Sequence, residues 1–469
     1  MQTQSSLKDG GAARISKVSP GKPRDGFTSG LGVIAATLGS AVGLGNIWKF
    51  PSLTGLNGGA AFIVVYLLST LLVGLPVMIS ELMLGRTAKA NAITTLKNLA
   101  PKKQPWWLVG VAGVLAAFLI LAFYTEVAAW VFAYIFKSFS GSLLSTDPKT
   151  TSLAFTQLVS SPSQSLIWQW IVLALIAFII ILGVSKGIEK TTKVLMPVLF
   201  GLLLLICIRS LSLPGAGQGL AFLFKPDFSK LTWTVVLTAM GLAFFKLSIG
   251  MGTMITYGSY FRADQNIPLT AVRVMLADLL VSLLAGIAIF PAVFAFGFKP
   301  DAGASLLFIT IPSVFASMPL GNLFLPLFFV LAAIAATGAM LSLLEVPVAF
   351  LNETLGWTRL AATLAVIVVL ALVGSTAALS NSLLANFKLF GMTPFDLFDY
   401  VTSNILLLLG GICLAIFTGW VWGFDKVKAA LSNQGVLRNE KVIRAFFLVV
   451  KVVAPVLILL VLLQGLKVI

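Results

Sequence analysis

The chain has 469 residues, of which 58% are hydrophobic and only 10% charged, and its mean hydropathy is +1.02. This excludes a soluble globular domain, and the net charge of +16 does not point to nucleic acid because the basic residues sit in short loops between apolar segments. Histidine, the usual metal ligand and proton switch, is absent, and Cys207 and Cys413 lie inside apolar segments, where they read as small buried hydrophobes rather than a redox pair.

In chain order, residues 1–26 are polar, carry Lys8, Arg14, Lys17, Lys22 and Arg24, and read as a tail rather than a cleaved signal. Eleven apolar segments follow, each near or above the roughly 20 residues that cross a bilayer. They run over 29–53, 59–84, 106–137, 165–183, 191–212, 231–260, 268–297, 323–352, 357–375, 394–423 and 442–466. The stretch 302–318 is apolar but short, which fits a re-entrant or surface hairpin. Loop 85–105 holds Arg86, Lys89, Lys97, Lys102 and Lys103 without an acid, and 424–445 is also basic, whereas 138–164 has only Asp147 and Lys149. The positive-inside rule puts the N-terminus and the basic loops in the cytoplasm, and eleven spans then leave the C-terminus outside.

The first and sixth segments are interrupted by glycine-rich polar sequence. The first reads Gly39-Ser-Ala-Val-Gly-Leu-Gly-Asn46-Ile-Trp-Lys-Phe-Pro51, the other Phe244-Phe-Lys246-Leu-Ser248-Ile-Gly-Met-Gly252. Unsatisfied backbone is costly in a bilayer, so a broken helix survives only where it lines a cavity or binds something. One break in each half of the chain is the pattern of a secondary transporter's central site. Free amides at Leu44, Gly45 and Asn46 suit a carboxylate, and carbonyls of Gly39, Ala41, Val42 and Phe245 suit an ammonium group or a cation. A site offering both fits an α-amino acid.

These segments, with Asn57-Gly-Gly-Ala-Ala-Phe62, Gly85-Arg86, Phe123-Tyr124, Ser185-Lys-Gly-Ile-Glu189 and Ile255-Thr-Tyr-Gly-Ser-Tyr260, resemble the neurotransmitter:sodium symporter family, in particular its eleven-span bacterial amino-acid transporters. The resemblance implies an all-α polytopic membrane protein of the LeuT-like 5+5 inverted-repeat fold with helices 1 and 6 broken. The repeats would be 27–212 and 231–423, with 442–466 as an additional helix. It also implies a bacterial inner-membrane location and no soluble domain.

Carried over from the family, the substrate site comprises Ala41, Leu44, Gly45, Ile120, Tyr124, Phe245, Ser248, Met251, Ala339 and Leu343. Tyr124 would donate its hydroxyl to the substrate carboxylate, and the apolar members would hold an aliphatic, sulfur-containing or aromatic side chain. Family members that carry monoamines have an aspartate where this chain has Gly43, so the substrate is expected to bring its own carboxylate. The implied outer gate is Lys49 with Asp399, in which lysine replaces the usual arginine and loses its planar fork. The implied inner gate is Arg24 with Glu353, backed by Tyr260, with Phe27 in place of a tryptophan.

The departures fall on the ion sites. Asn46, Ala41 and the carbonyls of Gly39, Val42 and Ala335 match family cation ligands. Lys246 and Asp278 instead stand where one sodium site has a threonine and an asparagine, so the Lys246 ammonium is expected at the sodium position, facing the substrate carboxylate. A structural salt bridge is the alternative. An ungapped reading puts Gly338 and Ala339 where the second site has two hydroxyls, and a one-residue shift would bring in Thr337. Sodium remains the cation the family implies, with coupling weakened or lost. Chloride coupling is not expected, because Ser282 is retained but Leu242 replaces the expected glutamine. Glu126 and Glu345 are further candidate proton carriers, with a buried, hydrogen-bonded carboxyl as the alternative for each.

The expected function is alternating-access transport of neutral, mainly hydrophobic amino acids, driven by sodium or by a sodium-independent route. A non-transporting receptor is the other reading, and a membrane enzyme lacks a clustered catalytic set.

Overall fold

The computed structural model describes residues 25–300 and 306–468, so Arg24 and residues 302–305 of the expected hairpin lie outside the described residues. The path begins with α1 (Gly30–Ala41) and α2 (Gly45–Leu56), two halves of one span bent by 51°. It continues through α3 (Ala60–Ala88), the short α4 (Ala92–Leu99), α5 (Trp107–Phe139), the surface helix α6 (Pro148–Val159), α7 (Pro162–Ile181), α8 (Val184–Leu211) and the short α9 (Ala216–Phe224). The next span is again divided, into α10 (Trp233–Lys246) and α11 (Thr253–Ser259). Then come α12 (Ile267–Ala295), the short α13 (Thr310–Ser317), α14 (Gly321–Thr354), α15 (Arg359–Asn381), α16 (Pro394–Trp422), the short α17 (Phe424–Leu431) and α18 (Glu440–Gly465).

Nine of these helices are long and apolar enough to cross a membrane, and the two divided spans complete the segments read from the sequence. Side-chain caps start several of them. Ser29 accepts from Gly32 N, Thr232 from Val235 N, Asn266 from Leu269 N and Thr358 from Ala361 N.

The layering follows burial. In α14, 83% of the apolar window is inside the protein, against 33% in α8, α15 and α18, so α14 is the central helix and those three lie at the periphery. The divided spans lie beside it.

Their breaks are held by specific bonds. At the first, Val42 turns extended (φ −83°, ψ 107°) and ends α1. At the second, Ser248, Gly250 and Gly252 all take positive φ (53°, 79° and 74°). Gly250 is required there twice over, since a Cβ would also lie 2.3 Å from the Leu407 carbonyl oxygen. The amide freed at Gly250 donates to Glu81 Oε1 at 2.6 Å, and Thr253 Oγ1 donates to the Ser248 carbonyl at 2.5 Å. Two buried groups thus satisfy backbone that the unwinding exposes.

The second half-helix α11 lies directly on α3. A Cβ on Gly85 would sit 1.9 Å from the Ile255 carbonyl oxygen, and one on Gly258 would sit 2.4 Å from that of Leu82. Only glycine allows this backbone-to-backbone approach.

Candidate functional site

The two breaks face each other across a buried pocket that α5 and α14 complete. It is lined by Ala41, Gly45, Ile120, Tyr124, Phe245, Ser248, Met251, Ala339 and Leu343, all expected from the sequence, together with Ser40, Gly43 and Lys246. Leu44 lines the vestibule above it instead, and reaches the site through its amide, which donates to the Tyr124 hydroxyl at 2.7 Å. Ser40 and Gly43 were not singled out as lining residues, although their place inside the broken segment is a readable signal.

The pocket is tight, with about 30 Å³ of open space, little more than a water needs. A Cβ on Gly43 would lie 2.8 Å from the Tyr124 hydroxyl and 3.0 Å from the Ala339 Cβ. Ser248 Oγ donates to the Ser40 carbonyl at 2.8 Å, and Ser40 Oγ donates to Ser342 Oγ at 2.8 Å, so the breaks and α14 are cross-linked by hydroxyls.

Above the pocket, a vestibule of about 280 Å³ opens between Trp48, Leu53, Phe123, Phe395 and the pair Lys49–Asp399. The Lys49 ammonium lies 3.8 Å from Asp399 Oδ1 and 4.0 Å from the centroid of Phe245. Phe245 lines both spaces and is the partition between them. The ion pair is about one-third exposed on both sides, so its net attraction is of the order of 1 kcal/mol or less.

Beside the pocket, Lys246 and Asp278 form an ion pair at 3.1 Å, both side chains wholly buried. The ammonium also donates to the Tyr66 hydroxyl at 2.8 Å and, in a short contact, to Ser282 Oγ. All three N–H donors are taken by groups that do not line the pocket. The expectation that the ammonium faces the substrate carboxylate is therefore corrected: its stem borders the pocket while its charge points past it.

Asn46 completes the cluster. Its Nδ2 donates to the backbone oxygen and Oδ1 of Asp278 and to Ser282 Oγ, and its Oδ1 accepts from Gly43 N at 3.2 Å. With acceptors on one side, the amide must turn its NH₂ that way, and its oxygen is turned from the ammonium.

At the second cation position, Gly338 lies against Gly39. A Cβ there would be 2.6 Å from the Gly39 carbonyl oxygen. Thr337 donates its hydroxyl to Ala333 O within its own helix, and Ala339 faces Gly43. The carbonyl of Ala335 lies 3.9 Å from a Cβ built on Gly43, and Val42 is at the break itself.

Ahead of α1, away from the vestibule, Phe27 meets Tyr257 and Tyr260 edge-on at 5.6 and 5.9 Å. Tyr260 donates its hydroxyl to Glu345 Oε1 at 2.6 Å. Arg359 grips both oxygens of Glu345 at 3.1 and 2.6 Å and donates to Ile180 O. Glu353 accepts from the Asn91 backbone and side chain at 2.7 and 3.2 Å. Arg24, the expected partner of Glu353, falls outside the described residues, and Glu345, a candidate proton carrier, is held by Arg359 in a bidentate ion pair. The Arg359 clamp was missed, because nothing in its local sequence distinguishes it from a helix-end snorkelling arginine.

The profile of the sodium:neurotransmitter symporter family matches residues 24–157 and 149–469. The uncharacterized sodium-dependent transporter YhdH of Bacillus subtilis is 38% identical over 93% of this chain and 97% of its own length. An uncharacterized sodium-dependent transporter of Haemophilus influenzae is 34% identical over 95% of this chain and 99% of its own. The solved structure of MhsT in complex with L-phenylalanine is 41% identical, covers 94% of this chain and all of the other, and superposes with a TM-score of 0.87.

Proposed function

The chain belongs to the sodium:neurotransmitter symporter family, and we propose that it carries neutral, mainly hydrophobic amino acids by alternating access, with a tethered ammonium in place of one sodium ion. The observation that carries the second half is the Lys246–Asp278 pair. A sodium ion needs oxygen ligands, and a buried ammonium already spends its donors on the oxygens that would supply them. The close approach of Gly338 to the Gly39 carbonyl supports a weakened second site as well.

The substrate half rests on backbone polarity. The Leu44 amide now donates to the Tyr124 hydroxyl oxygen, which occupies the direction a carboxylate oxygen would take. An incoming carboxylate would accept from the Leu44 and Gly45 amides, and Tyr124 would then turn to donate. The substrate ammonium would meet the carbonyls of Ala41 and Phe245. Ile120, Met251 and Leu343 would enclose an apolar side chain, and because the pocket is nearly closed, Phe245 must shift to admit one. L-Phenylalanine in MhsT is consistent with such a pocket. The inner gate would work through Phe27, Tyr260 and Glu353, and the outer through Lys49 and Asp399. Chloride is not expected to contribute, since the Tyr66 and Ser282 hydroxyls are engaged by Lys246. The protein would sit in the bacterial cytoplasmic membrane with its N-terminus inside.

Tyr124→Phe is expected to weaken L-leucine binding by roughly 10- to 100-fold, the worth of one charge-assisted hydrogen bond. Equilibrium binding to purified protein measures it, and unchanged affinity would remove Tyr124 from the site.

A sodium-driven symporter is the second reading, favoured by the relatives named as sodium-dependent. Uptake of leucine, methionine, tryptophan and alanine into proteoliposomes, with sodium, potassium or choline at clamped pH and voltage, separates the two. With one ion replaced and the second site weakened, the tethered-ammonium reading expects uptake to persist in potassium or choline, and strict dependence on an inward sodium gradient would sink it.

A further inference from the structure

Ionisable groups set deep in the other spans are held by protein: Lys246 by Asp278, Glu345 by Arg359, and Glu126 by the Trp130 indole N–H at 2.6 Å. Lys451 of α18 is different. The one carboxylate of its helix, Glu440, is taken by Lys428 and Arg444 at 2.8 and 2.6 Å. Among the described residues the Lys451 ammonium has neither a carboxylate nor a hydrogen-bond acceptor. It rests on aromatic faces, 4.5 Å from the Trp420 centroid and 5.8 Å from that of Phe447. A charge within a span is costly enough to demand a partner, and ring faces cannot engage all three of its N–H donors.

The seat is built by the packing of α16 on α18. A Cβ on Gly419 would lie 2.8 Å from the Lys451 Cα, so only glycine lets the two backbones approach this closely. Trp420 Nε1 donates to the Lys451 carbonyl at 3.0 Å, which fixes the indole beside the ammonium. Both helices widen into π-turns here, over Phe417–Trp422 and Val449–Val453, a distortion that recurs at functional positions. Trp420 is 64% exposed and α18 is peripheral, so the seat opens outward from the bundle.

Its depth in the bilayer follows from the broken span. Gly410 of α16 touches the second break, where a Cβ would lie 2.5 Å from the Gly250 carbonyl oxygen. Breaks of this kind lie near the midplane. Gly419 is nine residues further along α16, about 14 Å, close to the edge of a hydrocarbon half about 15 Å thick. The long side chain of Lys451 therefore reaches the level of lipid phosphates, in the leaflet beside the basic segment 424–445. Arg444 lies two turns before Lys451 on the same helix face, and Lys428, Arg444 and Lys451 outnumber Glu440. The surface is net positive.

We propose that Lys451, Trp420 and Phe447 form a seat for the phosphodiester headgroup of an anionic phospholipid. The ammonium donates to a phosphate oxygen, and the exposed indole packs against the glycerol backbone and upper acyl chains. Arg444 contributes positive field rather than contact, since its guanidinium is already on Glu440. A soluble phosphate would offer the ammonium the same oxygens, but aromatic walls at the edge of the hydrocarbon favour a lipid. The seat is separate from the substrate pocket and does not depend on how transport is driven.

Fluorescence of the full-length protein in vesicles tests this. Brominated acyl chains quench a tryptophan they touch, and the Trp420 share of emission is isolated by adding Trp420→Phe to each background. Quenching by brominated phosphatidylglycerol diluted in phosphatidylcholine, and by the reverse pairing, gives the relative affinity of the two lipids at the seat. The parent is expected to prefer phosphatidylglycerol by about fivefold, the worth of one basic residue near the membrane surface. Lys451→Arg should keep that preference, and Lys451→Gln should reduce it to near parity. Equal affinity in the parent, or a preference that survives Lys451→Gln, overturns the proposal and leaves a lysine that only snorkels. Displacement of the brominated lipid by inorganic phosphate in the buffer would overturn the lipid assignment in favour of a soluble anion. Because uptake is not read, failure of the carrier reading would leave these outcomes unchanged.

Discussion

Lys246→Met is expected to cost about 3–5 kcal/mol of stability, because it strands the Asp278 carboxylate without a counterion in a site with no access to water. The remaining bonds from Asn46 and Tyr66 to that carboxylate do not replace the lost charge. A fall in the thermal midpoint and in the folded yield from membranes should report it. Lys246→Thr with Asp278→Asn removes both charges together and offers a hydroxyl and an amide oxygen instead. That double variant should recover most of the stability and take up amino acid in a sodium-dependent way. If Lys246→Met is as stable as the parent, the pair is not the counter-charge described here. If the double variant transports fully and still ignores sodium, the ammonium does not stand in for the ion.

The second large effect is expected from one methyl group. Gly85→Ala would put a Cβ 1.9 Å from the Ile255 carbonyl oxygen, far inside the 3.0 Å below which real Cβ contacts essentially do not occur. The atom it meets is backbone, so no rotamer change relieves the clash, and α11 must move away from α3. Overpacking of this kind costs about 1–3 kcal/mol or more. The displaced element is the second half of a broken span, and uptake should fall by at least about tenfold, the effect of 1.4 kcal/mol. Gly201→Ala is the control, since nothing lies within 4 Å of a Cβ there. Equal activity in the two variants would show that α11 has slack at this contact.

The spans and their breaks were legible because the bilayer makes them so. Long apolar runs have one explanation, and Gly39–Asn46 and Ser248–Gly252 interrupt two of them with residues that free the backbone. Lys246 and Asp278 were legible for a similar reason, since lone charges in apolar segments demand partners. What the sequence withheld is side-chain direction. The Lys246 ammonium points to Tyr66 and Ser282 because three acceptors converge there, and Tyr66 lies 180 residues away with no local mark. Likewise α14 is apolar all round, so its periodicity could not say whether Gly338 or Thr337 faces Gly39. The close backbone contact with Gly39 decides that. The Glu189 carboxylate, which receives Thr28 N, Thr28 Oγ1 and Ser29 Oγ, shows the same limit, because a motif gave its position but not the helix start it holds.

The ammonium of Lys246 is covalently attached, and that has a thermodynamic consequence for the cell. An ion that enters with the solute and leaves with it hands its own electrochemical potential to the solute, about 2.3 kcal/mol per charge for each 100 mV of membrane potential. A charge that never crosses hands over nothing. Each ion replaced in this way lowers the greatest concentration ratio the carrier can sustain by about 50-fold per 100 mV. A carrier in which every driving ion were replaced in this way would level amino-acid pools across the membrane, and would discharge a surplus as readily as it admits a supply.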